Sequence, residues 1–188
     1  MMKRILFRSV FLFFLVLLVF TTPLSAKKAE IRDLLVTNNA SDVLVYARVM
    51  NCFTKEIEAA ILAGVPTTFT FVVDLFQRRT WWPDKKVSRV TVRHTIKYDN
   101  VKKIFQVYLD GDKEPTSFTD FEGARQVMAD LNGTPLAQLK ALKRNEYYYV
   151  QIKAKLDKVR LPLHMEYVFF FVSLWDFETD WYQEGFFY

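Results

Sequence analysis

A single cysteine, Cys52, is the whole thiol complement of this 188-residue chain. One thiol cannot close an internal disulfide, so packing must hold the fold. Its plain reading is a buried, inert side chain; its sharper alternative is an intermolecular bridge. Histidine is nearly as scarce. His94, His164 and Cys52 are too few and too far apart for a structural zinc site, which takes about four such ligands. The five glycines form neither a phosphate-cradling loop nor a dinucleotide fingerprint, and no Gly-x-Ser-x-Gly elbow occurs. Papain-like chemistry fails too, because Cys52 sits in an apolar setting just before a helix cap with no histidine beside it. No metal, cofactor or catalytic residue is therefore assigned. Scattered Asp and Glu leave one enzymatic alternative open, dispersed acid–base catalysis, with His164 as an acid–base group that nothing nearby supports.

Long hydrophobic runs are also missing, with one exception. The chain opens Met-Met-Lys-Arg-Ile-Leu-Phe-Arg, continues through an apolar run from Val10 to Phe20, and then reads Thr-Thr-Pro-Leu-Ser-Ala before Lys27. A basic start, a short apolar middle and small residues at a cut point make up a secretory signal. The run is shorter than the roughly 20 residues a membrane-crossing helix needs. Cleavage is expected at Ala26–Lys27, giving a signal over residues 1–26 and a single β-rich domain over 27–188. Leu24 suits the third position before the cut poorly, so an uncleaved inner-membrane anchor is the alternative. No cysteine lies near the cut to take a lipid.

Excess positive charge is scarcer than it looks. The full chain carries 26 Lys and Arg against 21 Asp and Glu, a formal charge of +5. Lys3, Arg4 and Arg8 leave with the signal, so the mature chain sits near +2. No global basic field calls for nucleic acid.

What is abundant is strand-like alternation. Val90, Val92, His94, Ile96 and Tyr98 share one face, with Thr91, Arg93, Thr95 and Lys97 on the other. Tyr148 to Leu156 repeats the pattern, and Ile31–Val36, Leu44–Met50, Thr67–Phe76 and Ile104–Leu109 read as further strands. One dry and one wet face suit an antiparallel sheet. On this face His94 reads as a hydrogen-bonded core histidine. Asp99-Asn100 and Pro83-Asp84 are turn candidates. Thr54 is positioned to cap a helix through Ala63, with Gly64 as its left-handed stop. Thr119 and Glu122 form a capping box for a second helix, ended by Asn132-Gly133. Thr134-Pro135 is expected to start a third helix through Leu142. The fold class is mainly β (α+β): an antiparallel β-sandwich or curved sheet of about seven strands with two or three short helices.

Two stretches stand out as surfaces. Arg78, Arg79, Trp81, Trp82, Lys85 and Lys86, continued by Arg89 and Arg93, place two indoles and several cations around the Pro83-Asp84 corner. Trp favours sites with one wet end, and Arg grips phosphate, carboxylate and aromatic faces. The ordinary alternative is a hairpin held by cross-strand aromatic pairs with solvated cations. The second stretch is the tail. Tyr167 to Leu174 is apolar on both faces, as in a strand covered from both sides. Trp175, Phe177 and Trp181 then alternate with Asp176, Glu178 and Asp180, which read as a solvated acidic edge. With Tyr182, Phe186, Phe187 and Tyr188 they make a candidate aromatic surface.

Several runs together resemble a bacterial family catalogued only as domain of unknown function 4390. They are Asn51 to Ala60, Gly64 to Phe71, Arg78 to Trp82, His94 to Tyr98, Phe118 to Ala124, and Leu161-Pro162 with Trp175. The resemblance implies an exported, proteobacterial-type protein and supplies no catalytic residues. It also points to a membrane-bound sensor histidine kinase as a partner. Function is thus expected to be a non-enzymatic interaction module in the periplasm, meeting an envelope protein or a membrane surface. The alternatives are the dispersed-residue enzyme and an outer-membrane barrel of eight strands of roughly 9–11 residues.

Overall fold

The computed structural model describes residues 28–157 and 177–188. Its elements run β1 (Glu30–Asn38), β2 (Asp42–Met50), α1 (Lys55–Leu62), β3 (Thr67–Gln77), β4 (Lys85–Asp99), β5 (Ile104–Leu109) and β6 (Thr116–Phe118). There follow α2 (Phe121–Ala129), β7 (Asp130–Gln138), a 3-10 turn at Leu139–Ala141, β8 (Tyr147–Leu156) and β9 (Tyr182–Phe187). Among the described residues the nine strands form two antiparallel sheets, β1-β2-β7 and β6-β5-β4-β3-β8-β9. Neither sheet closes on itself, so the cylinder that the outer-membrane barrel alternative requires is not formed among the described residues. The expected Tyr167–Leu174 strand, His164, Trp175 and residues 1–26 lie outside the described residues.

Alternation dictates which faces turn inward. Val43, Val45, Ala47 and Val49 of β2 are buried, as are Phe69, Phe71, Val73 and Leu75 of β3 and Tyr148, Val150, Ile152 and Ala154 of β8. All belong to one core cluster that unites the two sheets, each large apolar side chain contributing about 1.5–3 kcal/mol by leaving water. β3 is the centre of the larger sheet, paired along its length with β4 on one side and β8 on the other. His94 lies in this core as expected, its Nδ1 donating to the Met128 carbonyl at 3.1 Å. Burial pushes its pKa below the ordinary histidine value, against the pull of that hydrogen bond and of nearby Asp110, Asp112 and Asp130.

The first helix forms as its sequence dictates. Thr54 Oγ1 accepts from the Ile57 amide at 3.4 Å, and Gly64, at φ +86°, takes the left-handed step after the end. The second helix departs from expectation at both ends. Its cap is Asp120, not Thr119: Asp120 Oδ1 accepts from the Gly123 amide at 2.7 Å. Glu122 is drawn to Arg125, one turn on, at 2.8 Å and does not reach back to close a box. The helix stops at Ala129, before Asn132-Gly133, and the chain passes straight into β7.

The expected third helix is therefore a strand and a single 3-10 turn. Pairing with β2 wins over the proline signal. Leu131 and Leu136 are buried, and Arg48 clamps Asp130 with two bonds at 2.6 and 2.7 Å at the strand's start. Pro135 is tolerated because, among the described residues, β7 lies at the edge of its sheet, where one row of amides has no ladder partner. Gly133, at φ +62°, sits where the register shifts between Val45 and Ala47, so the glycine serves a bulge. In the β4–β5 turn, the positive φ falls on Lys103 (+57°), while the Asp99 carboxylate accepts from the Val101 and Lys102 amides at 2.9 Å.

Cys52 is 3 % exposed, and burial pushes its thiol up to about 12. A thiolate is the attacking species, so a thiol held protonated and out of reach is inert. This matches the plain reading and leaves an intermolecular bridge no access. Native protein is expected to take up no thiol-specific reagent within minutes and to react fully once unfolded in denaturant. Rapid labelling of the native protein would contradict the placement.

Candidate functional site

The loop from Arg78 to Asp84 joins β3 to β4 and forms the end of a long hairpin. Its indoles project. Trp81 is 90 % exposed and Trp82 74 %. Among the described residues they hold no part of the core together, and two adjacent exposed indoles mark a candidate contact surface.

Behind the indoles the loop is braced. Asp84 Oδ1 accepts from the Arg79 amide at 3.0 Å, and its Oδ2 accepts from the Tyr149 hydroxyl at 2.8 Å. These bonds, from the Arg79 amide first, hold the Asp84 carboxyl below its ordinary pKa. Partial burial, then the bond to Asp84, pushes the Tyr149 phenol up. The Tyr149 ring stacks on Phe76 across the β3–β8 pair at 5.2 Å and 10°. The Arg78 amide donates to the Tyr147 carbonyl at 2.9 Å, and the Arg78 guanidinium lies 5.1 Å from the Tyr147 ring centre. These contacts tie down the base of the tip beneath two indoles that face solvent.

The two predicted surfaces partly meet here. Tyr147 packs edge-on against Phe187 of β9 at 4.9 Å, so exposed Phe187 shares this end of the sheet with Arg78. Gly185 permits it: a Cβ there would collide with the Tyr147 ring. Lys143 and Glu146, from the connection before β8, complete the hollow under the indoles. Sequence reasoning misses Tyr147, Tyr149 and Lys143. The outward alternation of Tyr147 and Tyr149 along β8 is the signal that could have found the two rings.

The remaining predicted residues serve other ends. Arg89 donates through Nε and Nη2 to buried Asp74 at 2.6 and 2.7 Å, and Lys86 Nζ donates to it at 3.1 Å. Burial acts to raise the Asp74 carboxyl; the bonds from Arg89 and Lys86 outweigh it and hold the group below the ordinary value. Arg93 lies farther along β4, 4.0 Å from Asp157. The eight-residue patch thus divides into a tip (Arg78, Arg79, Trp81, Trp82, Lys85) and a sheet face with structural partners. In the tail, Phe186 stacks on Tyr148 at 5.9 Å and Phe177 meets Phe69 edge-on at 5.1 Å, both against the core. Tyr188 is half-buried, its amide donating to the Glu146 carbonyl at 3.2 Å. Trp181 and Tyr182 line a separate open groove beside β1, where Lys28 pairs with Asp180 at 2.9 Å and Lys153 lies 5.0 Å over Trp181. Glu178 of the expected acidic edge is paired with Lys153.

Comparison with known proteins adds a family and no activity. Neither a curated protein nor a solved structure matches the chain. The family described as domain of unknown function (DUF4390) matches residues 26–184, nearly all of the sequence. The chain belongs to that family, DUF4390.

Proposed function

We propose that the protein is an exported, non-enzymatic interaction module of the bacterial cell envelope, working by contact through the Trp81–Trp82 hairpin. The observation that carries this is the pairing of two exposed indoles with a hydrogen-bonded brace beneath them. Side chains that cost solubility and add nothing to the core stand on a loop whose backbone is already tied down, which lowers the ordering cost of binding. The titratable groups with displaced pKa values fit the same picture. Asp74, His94, Cys52, Asp84 and Tyr149 each have a packing or pairing role that accounts for the shift. Export is supported by the leader-like first residues and by a family match that begins at residue 26, where the predicted signal ends. No helix among the described residues is long and apolar enough to cross a membrane.

The contact is with an envelope component, a protein or the membrane surface, and among proteins a membrane-bound sensor histidine kinase is the candidate that the family resemblance names. Mild cross-linking of intact cells, followed by purification from the envelope fraction, is expected to retain one dominant protein. The double substitution Trp81→Ala with Trp82→Ala is expected to lower its yield at least about tenfold, since central aromatic anchors carry about 2 kcal/mol or more each. Equal recovery with both proteins would contradict the assignment of the hairpin.

A further inference from the structure

We infer that the Trp81–Trp82 hairpin seats on a bilayer surface carrying anionic phospholipid. This rests on the proposed role of the hairpin as the contact element and names the surface it meets. Three features of the hairpin point to lipid over a protein groove. The first is shape: the indoles stand at the convex end of a hairpin, with no facing wall from the described residues of their own chain to grip a peptide segment. The second is residue type. Indole is apolar in body and polar at one edge, and it concentrates at the headgroup level of membranes. Phe187, 78 % exposed, adds a third aromatic at the same end of the sheet.

The third feature is charge. Arg79 and Lys85 flank the indoles, and among the described residues neither has an ion-pair partner. Lys143 lies beneath. The acids nearby are Asp84, engaged by the Tyr149 hydroxyl and the Arg79 amide, and Glu146. Aromatic side chains leading and cations following is the order that a headgroup layer selects: rings at the boundary, positive charge among the phosphates. The brace from Asp84 removes the ordering cost that a loose loop would bear on docking. Docked this way, the module would stand beside a membrane-embedded partner.

The test places a reporter on the hairpin itself, so that apolar residues near the amino terminus do not confound it. The full chain carries Thr80→Cys labelled with an environment-sensitive dye; Cys52 is buried and protonated and stays unlabelled. Vesicles of phosphatidylglycerol with phosphatidylethanolamine are expected to shift the dye emission to the blue, and phosphatidylcholine vesicles to leave it unchanged. Added salt should weaken the response. In the same background, Trp81→Ala with Trp82→Ala, and separately Arg79→Glu with Lys85→Glu, should each lower vesicle affinity at least about tenfold. All four altered side chains are exposed, and unchanged thermal melting checks that the variants fold. A silent dye on anionic vesicles, or a response in both variants equal to that of the unaltered hairpin, would overturn the inference. If the dye is silent while the envelope protein still co-purifies through the hairpin, lipid is wrong and the contact reading stands. A responding dye with no retained protein supports lipid and removes the protein partner.

Discussion

Replacing Phe69 by alanine is expected to lower the folding free energy by about 3–5 kcal/mol, read as a shift of the denaturant midpoint at constant slope. Phe69 sits fully buried in β3, the centre of the larger sheet. Its ring lies 5.0 Å from Phe53, in the link leading to α1, and 5.1 Å from Phe177, at the start of the tail. Phe53 in turn meets Phe121 of α2 edge-on at 5.6 Å. The ring thus joins the central strand to the last described segment and, through Phe53, to the second helix. Truncation removes the transfer energy of the ring and leaves a cavity whose walls belong to several elements, so collapse to fill it is limited. Domains are stable by about 5–15 kcal/mol in all, so this one change should consume a large part of the margin. A loss under about 1 kcal/mol would mean that the aromatic cluster is not packed as described.

The second large effect is expected at the buried carboxylate. Asp74 is 2 % exposed and takes bonds from Arg89 and Lys86, whose own side chains are about half exposed. Arg89→Leu leaves a buried charge with one partner, and a clear loss of stability at neutral pH is expected, read as a lowered denaturant midpoint. The pH dependence follows from the direction of the shift. A carboxyl whose folded pKa lies below its unfolded value contributes stability that is present above the unfolded pKa. That stability is lost as pH falls through the folded pKa. The difference between wild type and Arg89→Leu should therefore be full at pH 7 and shrink as the pH is taken below about 4. Pairing Asp74→Val with Arg89→Val should recover most of the loss, since β-branched residues directly opposite each other suit a sheet. A loss independent of pH would assign Arg89 a packing role and leave the ion pair no net contribution.

Local signals and side-chain periods made much of this fold legible. The alternation of β4 and β8, the Thr54 cap and the Gly64 stop needed nothing but the residues themselves. The failures lie where tertiary partners decide. Nothing local says that Arg125 will take Glu122 and leave the cap to Asp120. Thr134-Pro135 reads as a helix start, yet pairing with β2 and the burial of Leu131 and Leu136 make it strand. Of the seven strands read from the sequence, six are described and the seventh, Tyr167–Leu174, lies outside the described residues; the other three of the nine are β7, which reads locally as a helix start, and β6 and β9, which carry too little periodic pattern to declare themselves. At the candidate site, the sequence displays Trp81, Trp82 and their cations as a cluster. It does not display the long-range contacts that sort them: Arg89 and Lys86 to Asp74, Arg78 to Tyr147, and Tyr147 to Phe187.

Contact at one end of the molecule is the proposed mode of action, and photo-cross-linking in living cells compares the two ends directly. A photoreactive amino acid is placed at Trp81 in one strain and at Val101 in another. The two positions are matched in exposure, at 90 % and 91 %, and stand beyond opposite ends of β4, which spans roughly 45–48 Å at the rise of an extended strand. Irradiation is expected to attach an envelope component, protein or lipid, at position 81 and little or nothing at position 101. Equal yields at the two positions, or none at 81, would contradict the hairpin as the working surface.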